Sequence, residues 1–516
     1  MTETKKPDYA SPVPRQRFGD ELAEQERQLE SDPLIRRFAE SRGRLAGDPH
    51  RPLYHFVSPE STMNDPNGLC FWRGRWHLFY QGYPVEDTRQ HWGHCVSDDL
   101  VHWRDLPYAI HPDPERCCFS GSALVEGDRV IAIYHGVDAG TMIAVSSDPL
   151  LLNWGKVTGN AVIPHAKPGE PPLPYNIFDP CIWKQGEYYY AVTAGTRPEG
   201  PGGKRLRAEF LHRSRDLATW EYLHQFLEDD FYGLVGDDGA CPYFWPIGHR
   251  HILLHFSHLR SGGGGKYVLG DYDTERDKFV VTQGGEFNFG PVGPGGVHAP
   301  SAFPDGKGGL IALFNMNPAR PTEGWDQLMT LPRRLTLVGD DQLGIEPAGD
   351  IESLRGEQTA VGPMTLPANE EVVLDNVSGN AIEIEAEIDT RGAPVVELDV
   401  LRSPNREEYT RILFRAHSGY YSKQSTVTID NSRSSILPDV GIRPPETAPL
   451  PLEKDETLNL RVFVDRSVVE VFANGRQCVA LRVYPGRADS VGVSLRSQGT
   501  DAALKSLDAW RMESIY

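Results

Sequence analysis

Short apolar and aromatic runs separated by turn residues recur along most of this chain and constrain its fold more than any other feature. Apolar and polar positions alternate in these runs with the two-residue period of a β-strand, and no long amphipathic helix pattern interrupts them over roughly 300 residues. Repeated short antiparallel strands favour a β-propeller over a doubly wound parallel sheet. The runs do not repeat in sequence, so periodicity does not set the number of blades. They are GLCFWRGRWHLFYQGY, RVIAIYHG, PCIWKQGEYYYAVTAG, HRHILLHFSH and GGLIALFNMN.

The pattern changes at both ends of this region. Residues 16–46 are rich in Glu, Arg, Leu and Ala and predict one or two helices broken near Asp32-Pro33. Alternating strands resume near the C-terminus, with Asn474-Gly475 as a hairpin turn, and indicate a β-sandwich. We therefore expect an all-β protein whose four parts are an N-terminal tail and helical extension (1–50), a propeller (51–355), a linker (356–366) and a sandwich (367–516).

Composition excludes several partners. Of the 516 residues, 39% are hydrophobic and 24% charged, as in an ordinary globular protein. The formal net charge of -20 disfavours nucleic acid and anionic membrane surfaces, but it does not affect a neutral small molecule. No apolar stretch approaches the length of a membrane span. The sequence predicts neither nucleic-acid nor membrane partners, and it is compatible with a homo-oligomer.

The seven cysteines indicate a compartment. Their number is odd, no Cys or Cys/His spacing suggests zinc, and adjacent Cys117-Cys118 suits a structural disulfide poorly. The N-terminal segment lacks the apolar region of a signal peptide. These features predict free thiols and a cytoplasmic protein. The acidic clusters lack EF-hand spacing, so we expect no metal and no cofactor.

Acidic residues stand at three strand entries. Asp65 lies in the segment STMNDPNG, Asp179 lies between Phe178 and Pro180, and Asp237-Asp238 precede a further strand. Each segment alone is equally typical of a turn. In a propeller, however, such entries converge on one central funnel. Hydrolysis of a sugar bond needs two carboxyl groups, about 5–5.5 Å apart in a retaining enzyme.

Several segments together resemble one family. They resemble glycoside hydrolase family 32, the invertase, inulinase and levanase group, from residue 51 to the C-terminus. The matching segments are RPLYHF (51–56) followed by MNDPNG, FYQGYP (79–84), HWGHCVSDDLVHW (91–103), FSGSA (119–123), LPRRLTL (331–337), IEPAGDIESLR (345–355), FVDRSVVEVFANG (463–475) and LRVYP (481–485).

This resemblance implies a five-bladed propeller followed by a β-sandwich, and a retaining hydrolase that cleaves a terminal fructofuranoside or similar furanoside through a covalent intermediate. It makes Asp65 the nucleophile and Asp179 the residue that stabilises the transition state. It also implies a subsite for the terminal sugar, lined by Asn64, Gln81, Trp92, Phe119 and Ser120.

Two positions depart from the family. Phe178 replaces the Arg of the RDP motif and cannot donate hydrogen bonds to hydroxyls, and Ala240 replaces the Glu of the ECP motif, which supplies the acid. If this stretch is a strand, Asp238 shares a face with Ala240, and Gly239 permits a bulge. We therefore predict Asp238 as the acid. Asp237 is the alternative acid, and the third interpretation is that the protein has lost its acid.

His298 and the two departures from the family widen the functional alternatives. His298, where the family tends to carry Tyr, is a candidate to bind a sugar hydroxyl, although a packed or surface histidine fits the sequence equally well. The changes at Phe178 and Ala240 favour an altered glycone specificity or a fructosyl transferase as the second reading. The third reading is a non-catalytic carbohydrate-binding protein on a hydrolase scaffold, and retention of Asp65 and Asp179 argues against it.

Overall fold

A computed structural model describes residues 10–166, 169, 171–416 and 424–516. The predicted helices are present in the N-terminal extension as α1 (Leu22–Ser31) and α2 (Pro33–Leu45). Asp32 separates them because its side chain accepts hydrogen bonds from the backbone N–H groups of Leu34 (2.8 Å) and Ile35 (3.2 Å) and caps α2. Residues 1–9 of the expected tail lie outside the described residues.

The extension packs on the propeller. Phe38 of α2 meets Tyr108 edge to face, with ring centroids 5.9 Å apart, and Leu29 of α1 joins a buried cluster with Leu106 and Leu152. A cavity of about 960 Å³ remains between the extension and the propeller. No helix in the described residues is long and apolar enough to cross a membrane.

Within the described residues, five sheets follow one another along the chain as the blades of a propeller. Blade one contains β1 (Met63–Trp72), β2 (Arg75–Gly82), β3 (His91–Ser97) and β4 (Arg104–Ile110). Blade two contains β5 (Cys118–Glu126), β6 (Arg129–Gly136), β7 (Gly140–Ser146), β8 (Gly155–Lys156) and β9 (Ile163–Pro164). Blade three contains β10 (Ile177–Gln185), β11 (Tyr188–Arg197), β12 (Leu206–Arg207), β13 (Phe210–Ser214) and β14 (Trp220–Gln225).

The last two blades close the ring. Blade four contains β15 (Leu227–Glu228), β16 (Ala240–Ile247), β17 (Arg250–Ser257), β18 (Gly264–Asp273) and β19 (Lys278–Glu286). Blade five contains β20 (Val297–Pro304), β21 (Leu310–Met316), β22 (Leu328–Met329), β23 (Arg333–Val338) and β24 (Gln342–Pro347). The innermost strands β1, β5, β10, β16 and β20 contact one another in this order, and β20 returns to β1. These five strands surround the central funnel.

Two further sheets form the C-terminal sandwich. One contains β25 (Arg355–Val361), β26 (Met364–Leu366), β28 (Ala381–Asp389), β33 (Leu458–Asp465), β34 (Val468–Ala473), β35 (Gln477–Arg482) and β37 (Ala502–Met512). The other contains β27 (Glu371–Ser378), β29 (Val395–Arg402), β30 (Thr410–Arg415), β31 (Thr426–Asp430), β32 (Glu446–Pro449) and β36 (Gly492–Gln498). Their inner faces share one buried apolar core.

The expected linker at 356–366 is wrong. Both β25 and β26 pair with β37 in this region, so most of the segment is already part of the sandwich. The side chains of this segment are largely exposed. Its strands are held in place by backbone hydrogen bonds to β37, and the local sequence does not reveal this pairing.

Buried charges join the two domains. The Asp465 carboxylate on β33 accepts backbone N–H bonds from Leu53 (2.7 Å), Tyr54 (2.9 Å) and His55 (2.9 Å), and one from the His55 ring (2.8 Å). Glu470 on β34 contacts the other ring nitrogen of His55 at 3.1 Å. The segment that leads into the propeller is therefore fixed to the sandwich by a fully buried ion cluster.

Candidate active site

The same irregularity occurs near the start of all five innermost strands. Each strand loses register with its neighbour after its first residue and regains it three residues later. Such bulges re-aim side chains and are frequent beside active sites. The two residues inside each bulge are Asn64 and Asp65, Phe119 and Ser120, Phe178 and Asp179, Cys241 and Pro242, and His298 and Ala299.

Asp65 lies at the centre of this ring and is buried. Its Oδ2 accepts a hydrogen bond from the Ser120 hydroxyl at 2.8 Å and from the Gln81 amide at 3.3 Å. Its Oδ1 lies 3.0 Å from Nδ1 of His298. The structure thus brings together Asp65 and three predicted subsite residues, and His298 contacts the carboxylate itself.

These donors keep Asp65 ionised. Burial alone would raise the pKa of its carboxyl, but hydrogen bonds from His298, Ser120 and Cys241 outweigh burial and hold the pKa below its ordinary value. A buried carboxylate that is ionised and held in one orientation is suited to attack a carbon centre.

Asp179 shares a partner with Asp65. The backbone N–H of Cys241 donates to Oδ2 of Asp179 at 3.1 Å, and the Cys241 thiol lies 3.5 Å from the same oxygen. The thiol also lies 3.6 Å from Oδ2 of Asp65, which places the two carboxylates within roughly 7 Å of each other, close enough to flank one sugar ring. His135 lies 3.7 Å from the other oxygen of Asp179.

Cys241 was missed as a site residue at the sequence level. It adopts a φ of 50°, which is rare for a residue with a side chain and turns its N–H and thiol toward the two carboxylates. Burial, followed by the charges of Asp179 and Asp65, raises the pKa of the thiol well above its ordinary value. Its position in the motif that normally carries the acidic residue was the one available signal.

An amide network continues from the nucleophile toward blade five. Asn64 donates to Oε1 of Gln81 at 3.2 Å and accepts from Asn315 at 3.1 Å. Asn315 in turn donates to Gln327 at 2.7 Å. This network fixes the predicted subsite residues Asn64 and Gln81, and it adds Asn315 and Gln327, which no sequence motif marks.

Trp92 corrects the predicted subsite. Its side chain is fully buried, and its indole N–H donates to the backbone carbonyl of Phe119 at 2.9 Å. A Cβ on Gly68 would lie only 3.0 Å from the indole, so the ring fills space behind the strands. Trp92 therefore supports the wall that carries Phe119 and Ser120, and it does not itself face a ligand.

The two departures from the family lie in one apolar wall. Ala240, Cys241, Phe256 and Ala299 form a small buried cluster, and the ring of Phe178 packs against it. Apolar contacts thus occupy the region where the family motifs carry an arginine and a glutamate.

The structure contradicts the strand argument for Asp238. Strand β16 begins only at Ala240, and Gly239 has a φ of 61°, so residues 238 and 240 do not share a strand face. The buried Asp237 side chain accepts the N–H groups of Asp238 (2.7 Å) and Gly239 (3.3 Å) and makes this segment a turn. Oδ1 of Asp237 thus holds this turn, and Asp237 as the alternative acid stays a prediction.

Both carboxylate oxygens of Asp238 contact His258. Oδ1 accepts the His258 backbone N–H at 3.2 Å, and Oδ2 lies 2.7 Å from Nδ1 of the ring. Asp238 itself as the acid stays a prediction. No three His, Cys, Asp or Glu side chains converge as metal ligands in the part of the chain that the structure describes.

Comparisons with known proteins agree with this geometry. Residues 55–347 match the Glycosyl hydrolases family 32 N-terminal domain, and residues 350–511 match the family 32 C terminal domain. A levanase of Bacillus subtilis is 28% identical over 90% of this chain and 71% of its own length. The beta-fructofuranosidase, insoluble isoenzyme 1, of Oryza sativa is 30% identical over 90% of each chain.

A solved structure is similar in fold. Fructan 1-exohydrolase IIa from Cichorium intybus superposes with a TM-score of 0.79 at 23% identity, over 90% of this chain and 98% of its own. This likeness confirms the predicted all-β fold of a propeller followed by a sandwich. Because the two family domains together match most of the sequence, the chain belongs to glycosyl hydrolase family 32.

Proposed function

We propose that this protein is a retaining, cytoplasmic hydrolase of terminal fructofuranosides, with Asp65 as its nucleophile and Asp179 as the stabiliser of the transition state. The observation that carries this proposal is the ionised Asp65 carboxylate, fixed by Ser120 and His298 beside the second carboxylate of Asp179. Two carboxylates on opposite sides of one buried thiol can act on the same sugar ring.

In the proposed reaction, one oxygen of Asp65 attacks the anomeric carbon as the bond to the leaving group breaks. The product of this step is a sugar ester of Asp65, which water then hydrolyses with retention of configuration. Asp179 favours the positive charge that develops on the ring. The hydrogen bonds of Ser120 and Gln81 to Asp65 hold the attacking group in position before the substrate arrives.

The relatives support a fructofuranoside as the substrate. The aligned proteins are named as a levanase and a beta-fructofuranosidase, and each alignment covers about nine-tenths of this chain. Retention of Asn64, Gln81 and Ser120 around Asp65 supports binding of the same terminal sugar.

A changed glycone is the second candidate, and the Phe178 ring is the observation that favours it. An aromatic side chain packed against Ala240 and Cys241 offers shape and apolar contact where an arginine would donate hydrogen bonds. A sugar with fewer hydroxyls on that side would fit this wall better.

A panel of activated furanosides tests both candidates. We expect turnover of an aryl β-fructofuranoside, with the first product released in the β configuration as followed by NMR. A higher kcat/KM for another furanoside would favour the second candidate, and appearance of oligosaccharides in place of free sugar would indicate a transferase. Absence of turnover on every furanoside, with binding retained, would contradict the proposal and identify a binding protein.

A further inference from the structure

At the position where the family motif carries the acid, this chain has Ala240, which cannot give a proton to a leaving group. We propose that His258, oriented by Asp238, is the general acid and base of this enzyme and takes the role of the glutamate that Ala240 replaces. This inference rests on the proposed hydrolase function and adds a catalytic residue to it. Asp238 then acts as a positioning residue.

Two contacts fix His258 to one carboxylate. His258 follows strand β17, and Asp238 directly precedes Gly239 and the neighbouring strand β16. Backbone N–H and ring Nδ1 of His258 contact the two oxygens of Asp238 at 3.2 Å and 2.7 Å. This double contact leaves Nε2 without a partner among the described residues. The His258 side chain is 60% exposed, so a leaving group can approach it.

His258 lies near His298, which contacts the nucleophile. Its ring centroid is 6.3 Å from that of His298, whose Nδ1 contacts Asp65 at 3.0 Å. Phe256 packs against both histidines, with its ring centroid 4.8 Å from that of His258 and 4.1 Å from that of His298. Side-chain exposure rises in the order Asp65, His298, His258, so His258 is the one of the three that faces solvent.

The surrounding charges favour the protonated ring. The hydrogen bond to Asp238 raises the pKa of His258, burial opposes it, and the charges of Asp238, Asp179 and Asp65 raise it further, so that the pKa lies above its ordinary value. His298, on blade five, is a further titratable group near this ring. An imidazolium is the form that an acid needs at the start of the reaction.

The proton balance closes over the two steps. As Asp65 forms its bond to the anomeric carbon, the glycosidic C–O bond breaks and Nε2 of His258 gives its proton to the departing oxygen. Neutral His258 then takes a proton from water as the water oxygen attacks the same carbon. That attack releases the Asp65 carboxylate and restores the imidazolium.

Glu209 is the strongest rival. Burial raises the pKa of its carboxyl to about 8. The charge of Arg207 lowers this pKa and the charges of Asp230 and Asp237 raise it, so Glu209 too would carry a proton at neutral pH. Its carboxyl, however, is fully buried behind the segment before β16, where a Cβ on Gly239 would lie 2.6 Å from Oε1. A leaving group would have to displace Arg207 or this backbone to reach it.

The test compares leaving groups in single variants. We expect His258→Ala to reduce kcat/KM for substrates with an alkyl or sugar leaving group by about 10²–10⁴-fold. For an aryl fructoside, whose acidic phenol leaves without a proton, the rate at which the intermediate forms should fall far less. Azide should accelerate release of the intermediate in this variant. His249→Ala is the matched control, because His249 is similarly exposed, precedes β17 at its opposite end and contacts the surface carboxylate of Asp340.

The Asp238→Asn variant separates positioning from direct catalysis. If Asp238 orients His258, this variant should lose less activity than His258→Ala, and the basic limb of its kcat/KM profile should move to lower pH because the imidazolium loses its partner. A leaving-group dependence that appears in Asp238→Asn but not in His258→Ala would instead make Asp238 the acid. The same dependence in Glu209→Gln alone would assign the role to Glu209.

Failure of this inference is distinct from failure of the proposed function. Equal loss on good and poor leaving groups in His258→Ala overturns the acid assignment, whereas Asp65 and the hydrolase function stand if the wild-type protein still turns over furanosides. A wild-type protein that is inert toward all of them overturns both.

Discussion

The Cys241 thiol lies 3.6 Å from Oδ2 of Asp65 and 3.5 Å from Oδ2 of Asp179. One buried S–H group therefore faces both carboxylates of the site. Because burial and these two charges raise the pKa of the thiol, it stays protonated and acts as a donor, not as a nucleophile.

Replacing Cys241 should alter the ionisation of Asp65. Cys241→Ala removes a donor that lowers the pKa of Asp65, so the acid limb of kcat/KM should move to higher pH. We expect a three- to ten-fold loss below the optimum, since such a hydrogen bond contributes about 1 kcal/mol. Cys241→Ser is the matched control and should keep the limb in place. Identical profiles for both variants would argue against this role of the thiol.

Replacing Asp65 should stop turnover. Asp65→Asn keeps the shape of the side chain, but an amide is a poor nucleophile. The variant should bind the sugar with nearly wild-type affinity by calorimetry and show no turnover of the aryl fructoside. Mass spectrometry of the fresh sample is needed to exclude deamidation, and substantial activity in an intact sample would remove Asp65 from the mechanism.

The buried cluster between the domains should make stability depend on pH. Burial lowers the pKa of His55, but hydrogen bonds and charges from Asp465 and Glu470 outweigh it and raise the pKa to about 9. Protonated His55 therefore adds about 3 kcal/mol to the free energy of unfolding. This contribution is fully present below about pH 6.5, the pKa of histidine in the unfolded chain, and is lost as pH rises through 9.

Thermal unfolding from pH 6 to pH 10 measures this effect. His55→Gln is the comparison, because its side chain is neutral at every pH and cannot show the same slope, whatever its own stability. Parallel curves for the two proteins would mean that His55 does not set the pH dependence.

All seven cysteines should react as thiols. The structure places each of them as a buried free cysteine. Thiol counting on the denatured, unreduced protein from its native host should return seven groups. A count near one would indicate three disulfides and would contradict the proposed cytoplasmic location.

The sequence predicted the fold in outline but not its registers. Alternation indicated the propeller and sandwich, and Asp32-Pro33 marked the break between helices because capping acts over a few residues. The bulges at the strand starts depend on the register with the next strand of the same blade, which alternation alone does not reveal. The segment 356–366 was mistaken for a linker because its partner strand β37 is distant in sequence.

The sequence predicted those residues of the candidate site that lie in family motifs. Asp65, Asp179 and Ser120 converge as expected, because their motifs stand at equivalent bulges. Trp92 was misassigned, since sequence does not distinguish a ring that fills a core from one that faces a sugar. His258, the acid proposed above, was not singled out because it stands just before a polar, glycine-rich turn, and only the fold shows its contact with Asp238.

The five bulges separate the stability of the propeller from its chemistry. The apolar layers further along the strands lie between neighbouring blades, while each bulge presents one or two side chains to the centre. At the centre, however, the bulges touch one another, since Phe178 of blade three packs against the cluster of Ala240, Cys241 and Ala299 from blades four and five. For protein engineering, glycone preference is therefore best redesigned by changing contacting bulge residues together, while the apolar layers further out stay unchanged.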